Sequence, residues 1–509
     1  MTRRDLLKWG SAHLATAVAG GAAGCDFGRP RPRLLSSRTL LPTPFQTHLP
    51  RLPVLQPTSQ TADSIRFSLT AKALRIRLLP NHLTEIWGYN GLFPGPIIEA
   101  QTGRSITVDL QNELPVPTVM HLHGGRTPPE SDGYPTDLVL PKAGWAFPPN
   151  YDPNAKVALG RRSYTFPNQQ RAATLWYHDH RMDFTGPQVW RGLAGFYIIR
   201  DQEERKLPLP SGDKEYALMI CDRSFDEDGS FLYPAIEASL STVPGVTHPF
   251  MGGVLGDVML VNGVPWPQLE VSDTKYRLRI VNASNARHLT LALTSANGQY
   301  RRITQIGSDG GLLERPVLHA TLPVAPSERF DVIVDFSGCK QGERLVLRNL
   351  DGEGQASSVM CFDVTRSEVD HSEIPERLCD FERLDMRSNI TVRNFDFSYG
   401  GMEKGWLING KGFDPSRSDA TCTLDDVELW HLHSDRTHPL HLHLAHFQVV
   451  EHLGRPRPTD AGWKDTISMH AGQVASILVK FSGYRGRYVF HCHNLEHEDM
   501  AMMGNFTVI

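Results

Sequence analysis

Tyr276-Arg277-Leu278-Arg279-Ile280-Val281 places polar and apolar residues largely in turn, the pattern of a half-buried strand. Ser105-Ile106-Thr107-Val108-Asp109-Leu110 repeats that alternation. Each strand follows an Asn-Gly turn: Asn90-Gly91 lies ahead of Ile106-Thr107-Val108, and Asn262-Gly263 ahead of Tyr276. A third pair, Asn409-Gly410, precedes Val427-Glu428-Leu429-Trp430. One Asn-Gly pair is a common turn signal and says little. Three, roughly 150 residues apart and each followed by a matching strand, read as one unit written three times. No long stretch carries a helical apolar period. The expected fold is therefore all-β, in three related β-sandwich domains. Charge rises and the strand pattern fades near residues 203–213 and 366–380. These breaks divide the chain into domains at 59–202, 203–368 and 369–509.

The length agrees: 509 residues at roughly 150 per domain suggests about three. With 52 Lys+Arg against 56 Asp+Glu the net charge is −4, so the chain has no global basic field for nucleic acid. Seven cysteines at irregular spacing are too few for a disulfide scaffold, and Cys339, Cys361, Cys379 and Cys422 are read as either free or bridged.

The first residues, Thr2-Arg3-Arg4-Asp5-Leu6-Leu7-Lys8, resemble a twin-arginine export signal. Trp9 to Gly24 is weakly apolar and rich in Ala and Gly, too short and interrupted for a permanent membrane span. Residues 1–25 are read as a signal peptide and the chain as periplasmic or extracellular. Ala22-Ala23-Gly24-Cys25 resembles a lipoprotein cleavage box, which gives two outcomes: a lipid anchor on Cys25, or cleavage at a small-residue site nearby. Seven Pro between residues 28 and 57 mark 26–58 as an extended, non-core arm.

The chemistry concentrates in four segments: His121-Leu122-His123; His178-Asp179-His180; His438-Pro439-Leu440-His441-Leu442-His443; and His491-Cys492-His493-Asn494-Leu495-Glu496-His497, with Met502 five residues on. In a strand, residues i and i+2 share a face, so each His-x-His offers two imidazoles about 7 Å apart at the backbone. One strand then serves two neighbouring metals. Cys492 faces away from His491 and His493, so a metal on its sulfur connects to a cluster on its neighbours through a few covalent bonds. That is a short route for an electron. His438, Cys492 and His497 make a His2Cys set with Met502 as a weak axial thioether, a blue-copper pattern. Zinc more often gathers several thiolates. His431-Leu432-His433 is also His-x-His, and is read as non-ligating because the other segments complete the set; His446 and His470 are read as structural.

These segments resemble the multicopper oxidases. The similarity runs from about residue 60 to the C-terminus. It includes Trp87-Gly88-Tyr89-Asn90-Gly91, Ser131-Asp132-Gly133-Tyr134-Pro135, Ile306-Gly307-Ser308-Asp309-Gly310-Gly311 and Gly462-Trp463-Lys464-Asp465-Thr466. The wording is most similar to the bacterial spore-coat laccase and bilirubin oxidase branch. The resemblance implies three cupredoxin-like Greek-key β-sandwiches and four copper ions. It assigns a type 1 copper to His438, Cys492 and His497 with Met502 axial, and a type 2 copper to His121 and His441. It assigns a type 3 pair to His123, His178, His180, His443, His491 and His493. Glu498 and Asp132 resemble the family's acidic groups, with roles in proton delivery and in tuning the type 2 region. The middle domain becomes a scaffold that shapes the substrate cleft.

The implied reaction is laccase-like: one-electron oxidation of phenols, aromatic amines or bilirubin-like pigments, coupled to four-electron reduction of O2 to water. Electrons are expected to enter at the edge of His438 or His497. The implied partners are a small-molecule donor and O2, with no nucleic acid, and the chain is expected to be a monomer. Two other readings compete with it. A cuprous oxidase of copper tolerance is less favoured because the 13 Met are scattered. A metal-free cupredoxin structural module is disfavoured by the complete ligand set.

Overall fold

A computed structural model describes residues 30–147, 151–235 and 246–509. The proposed signal peptide and Cys25 lie outside the described residues. Six large sheets form three two-sheet sandwiches. The first joins a sheet containing Ser64–Leu79, His82–Tyr89, Ser105–Asn112 and Arg161–Phe166 to one containing Gly95–Gln101, Met120–His123, Ala173–Asp179 and Ala194–Arg200. The second and third follow, the third ending on Gly486–Cys492 and Met503–Val508.

The repeat read in the sequence is structural. Asn90 and Gly91, Asn262 and Gly263, and Asn409 and Gly410 all have positive φ, the two-residue requirement of a type I′ turn. In each unit the Asn side-chain oxygen accepts a backbone N–H from a neighbouring strand: Thr70 at 2.9 Å, Met219 at 2.9 Å and Asp396 at 2.7 Å. Each unit also carries the same parallel pairing across one sheet: Ser64–Leu79 with Ser105–Asn112, Glu215–Arg223 with Lys275–Asn282, and Thr391–Tyr399 with Val427–Ser434.

Alternating apolar residues fill the space between the sheets. Tyr276, Leu278 and Ile280 are each about 1% exposed inside the second core. The alternation is incomplete, because Arg277 and Arg279 are also buried. They are kept there by ion pairs with Asp331, Glu204 and Glu215. Arg200 ends the last strand of the first sandwich and pairs with Glu204 and Glu215, so this knot joins the first two units.

The arm departs from the expectation of a non-core segment. Leu49 is buried in the same core as the second sandwich. Arg33–Leu34 pairs in parallel with Val254–Leu255, and the Ser37 hydroxyl donates to Asp257 at 2.5 Å. Proline keeps the arm extended, but its unpaired backbone and apolar residues still find partners on the second unit.

Candidate metal centres

All four histidine segments sit where strands end. His121 and His123 lie on Met120–His123, and His178 on Ala173–Asp179 with His180 just beyond. His438 and His441 lie on His438–Leu442, and His491 and Cys492 on Gly486–Cys492. His443 and His493 follow directly. Strand pairing aligns the ligands: His121 is opposite His178, and His441 is opposite His491. The first and third sandwiches then meet, and eight imidazoles enclose one space. His121 stacks on His443 with ring centres 3.7 Å apart, and His123 on His441 at 3.5 Å. His180 and His443 bring Nε2 to within 3.2 and 3.3 Å of His491 Nε2. His493 closes the cage 5.0 Å from His123 and 5.2 Å from His178.

The outer nitrogens of five rings are tied down. His121 Nδ1–H donates to the Asp132 carbonyl at 2.5 Å and His443 Nδ1–H to the Asp132 carboxylate at 2.7 Å. His178 donates to Asp179 O at 2.7 Å and His441 to Asp465 O at 2.9 Å. His123 is turned the other way, its Nε2–H donating to Asp465 Oδ1 at 3.0 Å. These bonds fix each tautomer so that one lone pair points inward. His121 Nε2, His123 Nδ1, His178 Nε2, His441 Nε2 and both nitrogens of His493 are buried without a partner. Each such orphan costs about 1–3 kcal/mol, so five rings with one free lone pair each around one cavity call for an electrophile. Burial, reinforced by neighbouring imidazoles, holds His121, His123, His443 and His493 well below the ordinary histidine range, and His178 to about 3. These five rings are therefore neutral, as metal ligation requires.

Glu498 faces this cage, its carboxylate 3.1 Å from His491 Nδ1 and 3.7 Å from His180 Nε2. His491 Nδ1–H is directed at the Cys492 carbonyl, 3.1 Å away. Both carboxylate oxygens therefore remain without hydrogen bonds. Burial pushes the Glu498 carboxyl up, and the imidazoles led by His491 and His180 outweigh that and hold it low.

Cys492 is at the centre of the second site. Its Sγ lies 3.3 Å from His438 Nδ1 and 3.6 Å from His497 Nδ1, which are 3.1 Å apart. Asn494 shapes the loop: its side chain caps the short helix Leu495–Asp499, and its N–H points at Sγ from 3.4 Å. That turn returns His497 to face Cys492. Met502 is fully buried in the core that contains Cys492, and its N–H donates to His497 O at 3.0 Å. These neutral nitrogens with one thiol suit copper. The expectation that an imidazole edge reaches the surface fails: His438 is 0% and His497 2% exposed. Trp406 of the third sandwich packs on both rings, and the Gly252 carbonyl of the second unit closes the edge of His497.

His431 and His433 lie away from both sites and bond Ser476 and Asp396. His446 donates from Nε2 to Gly124 O at 3.0 Å. Among the described residues all six cysteines are free and buried.

The chain belongs to the multicopper oxidase family. Its family profile matches residues 71–204 and 384–509, the two stretches that build the cage. A laccase of Bacillus subtilis is 36% identical, over 90% of this chain and 97% of the relative. A bilirubin oxidase of Albifimbria verrucaria is 30% identical, over 91% and 81%. Among solved structures, a laccase of Pediococcus acidilactici is 32% identical and superposes with a TM-score of 0.80, over 94% and 96% of the two chains. This multicopper oxidase is laccase-like: an oxidoreductase that uses copper and O2.

Asp309 and Lys464-Asp465 stand in sequence motifs that assign them no role, and Glu328 and Arg329 stand in none. Arg329 is fully buried on the second sandwich and forms a fork with Asp465 of the third, Nη1 donating to Oδ1 at 2.7 Å. Lys464 lies 3.0 Å from Asp309 and 3.1 Å from Glu328. Gly124, with φ of +84°, leaves room for that fork; a Cβ there would meet Arg329 Nη2 at 2.6 Å and Asp465 Oδ2 at 2.8 Å. The middle unit therefore reaches the cage through Asp465, a role beyond shaping a cleft. A buried fork between residues 136 positions apart leaves no local spacing to read.

Proposed function

We propose that the Cys492 trio would hold the type 1 copper, with Met502 as a further ligand, and that the eight-histidine cage would hold the other three ions. In this assignment His121 and His441 take the type 2 copper, and His123, His178, His180, His443, His491 and His493 the type 3 pair. The orphaned inward nitrogens carry this reading. When bound, copper supplies a one-electron acceptor at the trio and the four-electron reduction of O2 to water in the cage. Cys492 and its neighbours provide the covalent link between the two places. Asp132 fixes the rings of His121 and His443. Glu498, with two free oxygens against the cage, carries protons to it.

The donors proposed are phenols and aromatic amines, with bilirubin-like pigments accepted by the same surface; the named relatives support both. A second reading, oxidation of Cu(I), is favoured by Met402, 55% exposed two residues before Lys404-Gly405-Trp406 at the trio. A similar structure from Campylobacter jejuni, 25% identical, is described as a metallo-oxidase. Comparing kcat/KM for a phenol, bilirubin and Cu(I) on copper-loaded protein tests this. The phenol is expected to lead; a dominant Cu(I) rate overturns the donor reading.

We also read the units as 59–202, 203–368 and 369–509, and the chain as exported by the twin-arginine route, with Cys25 either lipidated or removed. Unchanged export of a double variant, Arg3→Lys with Arg4→Lys, would refute that route. Among the described residues no helix is long and apolar enough to cross a membrane.

A further inference from the structure

Both imidazoles of the trio are closed to a donor. The Nε2 edge of His497 meets the Gly252 carbonyl at 3.2 Å and the Asn494 amide at 3.2 Å. Chain lies directly behind Gly252, where a Cβ would meet the Arg31 backbone at 2.5 Å. That strap is fastened, with Arg33 N–H donating to Gly253 O at 2.9 Å. His438 Nε2 faces the Asp435 carboxylate at 3.5 Å, which offers no π contact.

The face of His497 is covered by Trp406. The rings stack with centres 3.7 Å apart and planes at 29°, and the same indole stands edge-on to His438 at 5.4 Å. Trp406 is 1% exposed, and its Nε1–H donates to Met251 O at 3.0 Å. Directly opposite it in the Thr391–Tyr399 and Trp406–Ile408 hairpin is Tyr399, with ring centres 4.9 Å apart. Tyr399 is partly exposed. Ring contacts thus run unbroken from the surface to His497.

We propose that electrons enter this oxidase through Trp406, with Tyr399 as the outer contact on which a flat aromatic donor rests. The inference depends on the trio holding the type 1 copper. A phenol stacked on Tyr399 loses one electron, releases its hydroxyl proton to solvent and becomes a phenoxyl radical. The electron would cross two packed rings to the one-electron acceptor, copper(II), that the trio would hold, and the enzyme's reduction of O2 would take that electron up in turn. Neither ring is chemically changed. Each replaces a gap, and electronic coupling decays more steeply through empty space than through packed matter. Stacking also selects for planar, electron-rich donors.

The test is anaerobic bleaching of the blue holoenzyme by 2,6-dimethoxyphenol in a stopped-flow instrument. Trp406→Phe keeps a ring on His497, whereas Trp406→Leu fills the space without one. The Leu variant is expected to bleach more than tenfold more slowly and the Phe variant within threefold of the parent, with blue absorption and donor saturation kept. Equal rates for all three overturn the inference. Should Trp406→Leu fail to fold, Tyr399→Leu is expected to slow bleaching at least fivefold and Tyr399→Phe to leave it unchanged; no difference overturns it. A readout without copper accompanies these: diethyl pyrocarbonate should leave His497 unmodified in the metal-free parent, and labelling as fast as exposed His433 contradicts the closed edge. A parent that never turns blue sinks the ligand assignment; a blue parent with indifferent variants sinks only the entry route.

Discussion

The Cys492 trio and the eight-histidine cage use the same imidazole chemistry but are assembled differently. Cys492, Met502 and Trp406 belong to one hydrophobic core, that of the third sandwich, and both imidazoles come from the same unit. The cage takes its rings from residues 121–180 and 441–493, and its orientation from Asp132 of the first unit and the Arg329–Asp465 fork of the second and third. The trio is a local property of one sandwich, whereas the cage is a property of how three sandwiches dock.

That contrast is most severely strained by Cys492→Ser. Removing the thiolate should abolish the blue absorption and lower donor oxidation by about three orders of magnitude, while the cage, whose ligands are untouched, keeps its copper. Visible spectra with metal analysis check this, and a blue serine variant contradicts the ligand set. Arg329→Met strikes the other site. It leaves the Asp465 carboxylate buried without its cation, which should cost about 3–5 kcal/mol and slow O2 consumption about tenfold or more, with the type 1 colour kept. Colour lost together with the cage signals in electron paramagnetic resonance would mean that the two sites are not independent. Glu498→Gln is smaller: about a tenfold slower O2 reduction with an unchanged blue band. A bleached protein would make Glu498 structural.

The smallest effect concerns docking alone. Burial pushes the Glu215 carboxyl up, and Arg279, Arg200 and Arg277 outweigh it and hold it to about 2, against an ordinary value of 4.5. A depressed folded value stabilises fully above pH 4.5, and that stability is lost as pH falls toward 2. The loss should be about 3 kcal/mol, and Glu215→Gln should flatten the acid limb of a denaturation profile. An unaltered acid limb would show that this knot does not hold the first two units together.

The sequence made the turns and ligands legible for physical reasons. Asn-Gly with two positive φ angles is a local necessity, and His-x-His on a strand displays its own geometry. The route into the trio was not legible. Nothing in the spacing of Trp406, Gly252 and Arg31 says that they converge on His497, because that closure arises from a hairpin, a loop and an arm meeting in space. The burial of Arg277 and Arg279 was hidden likewise, since their acidic partners lie on other elements.

Copper content of the reconstituted chain, read beside its visible spectrum, tests the pairing of trio and cage most directly. The expected result is four ions per chain with intense blue absorption, as the trio and the orphaned cage nitrogens require. Fewer than four ions, or a colourless protein at full loading, would contradict it.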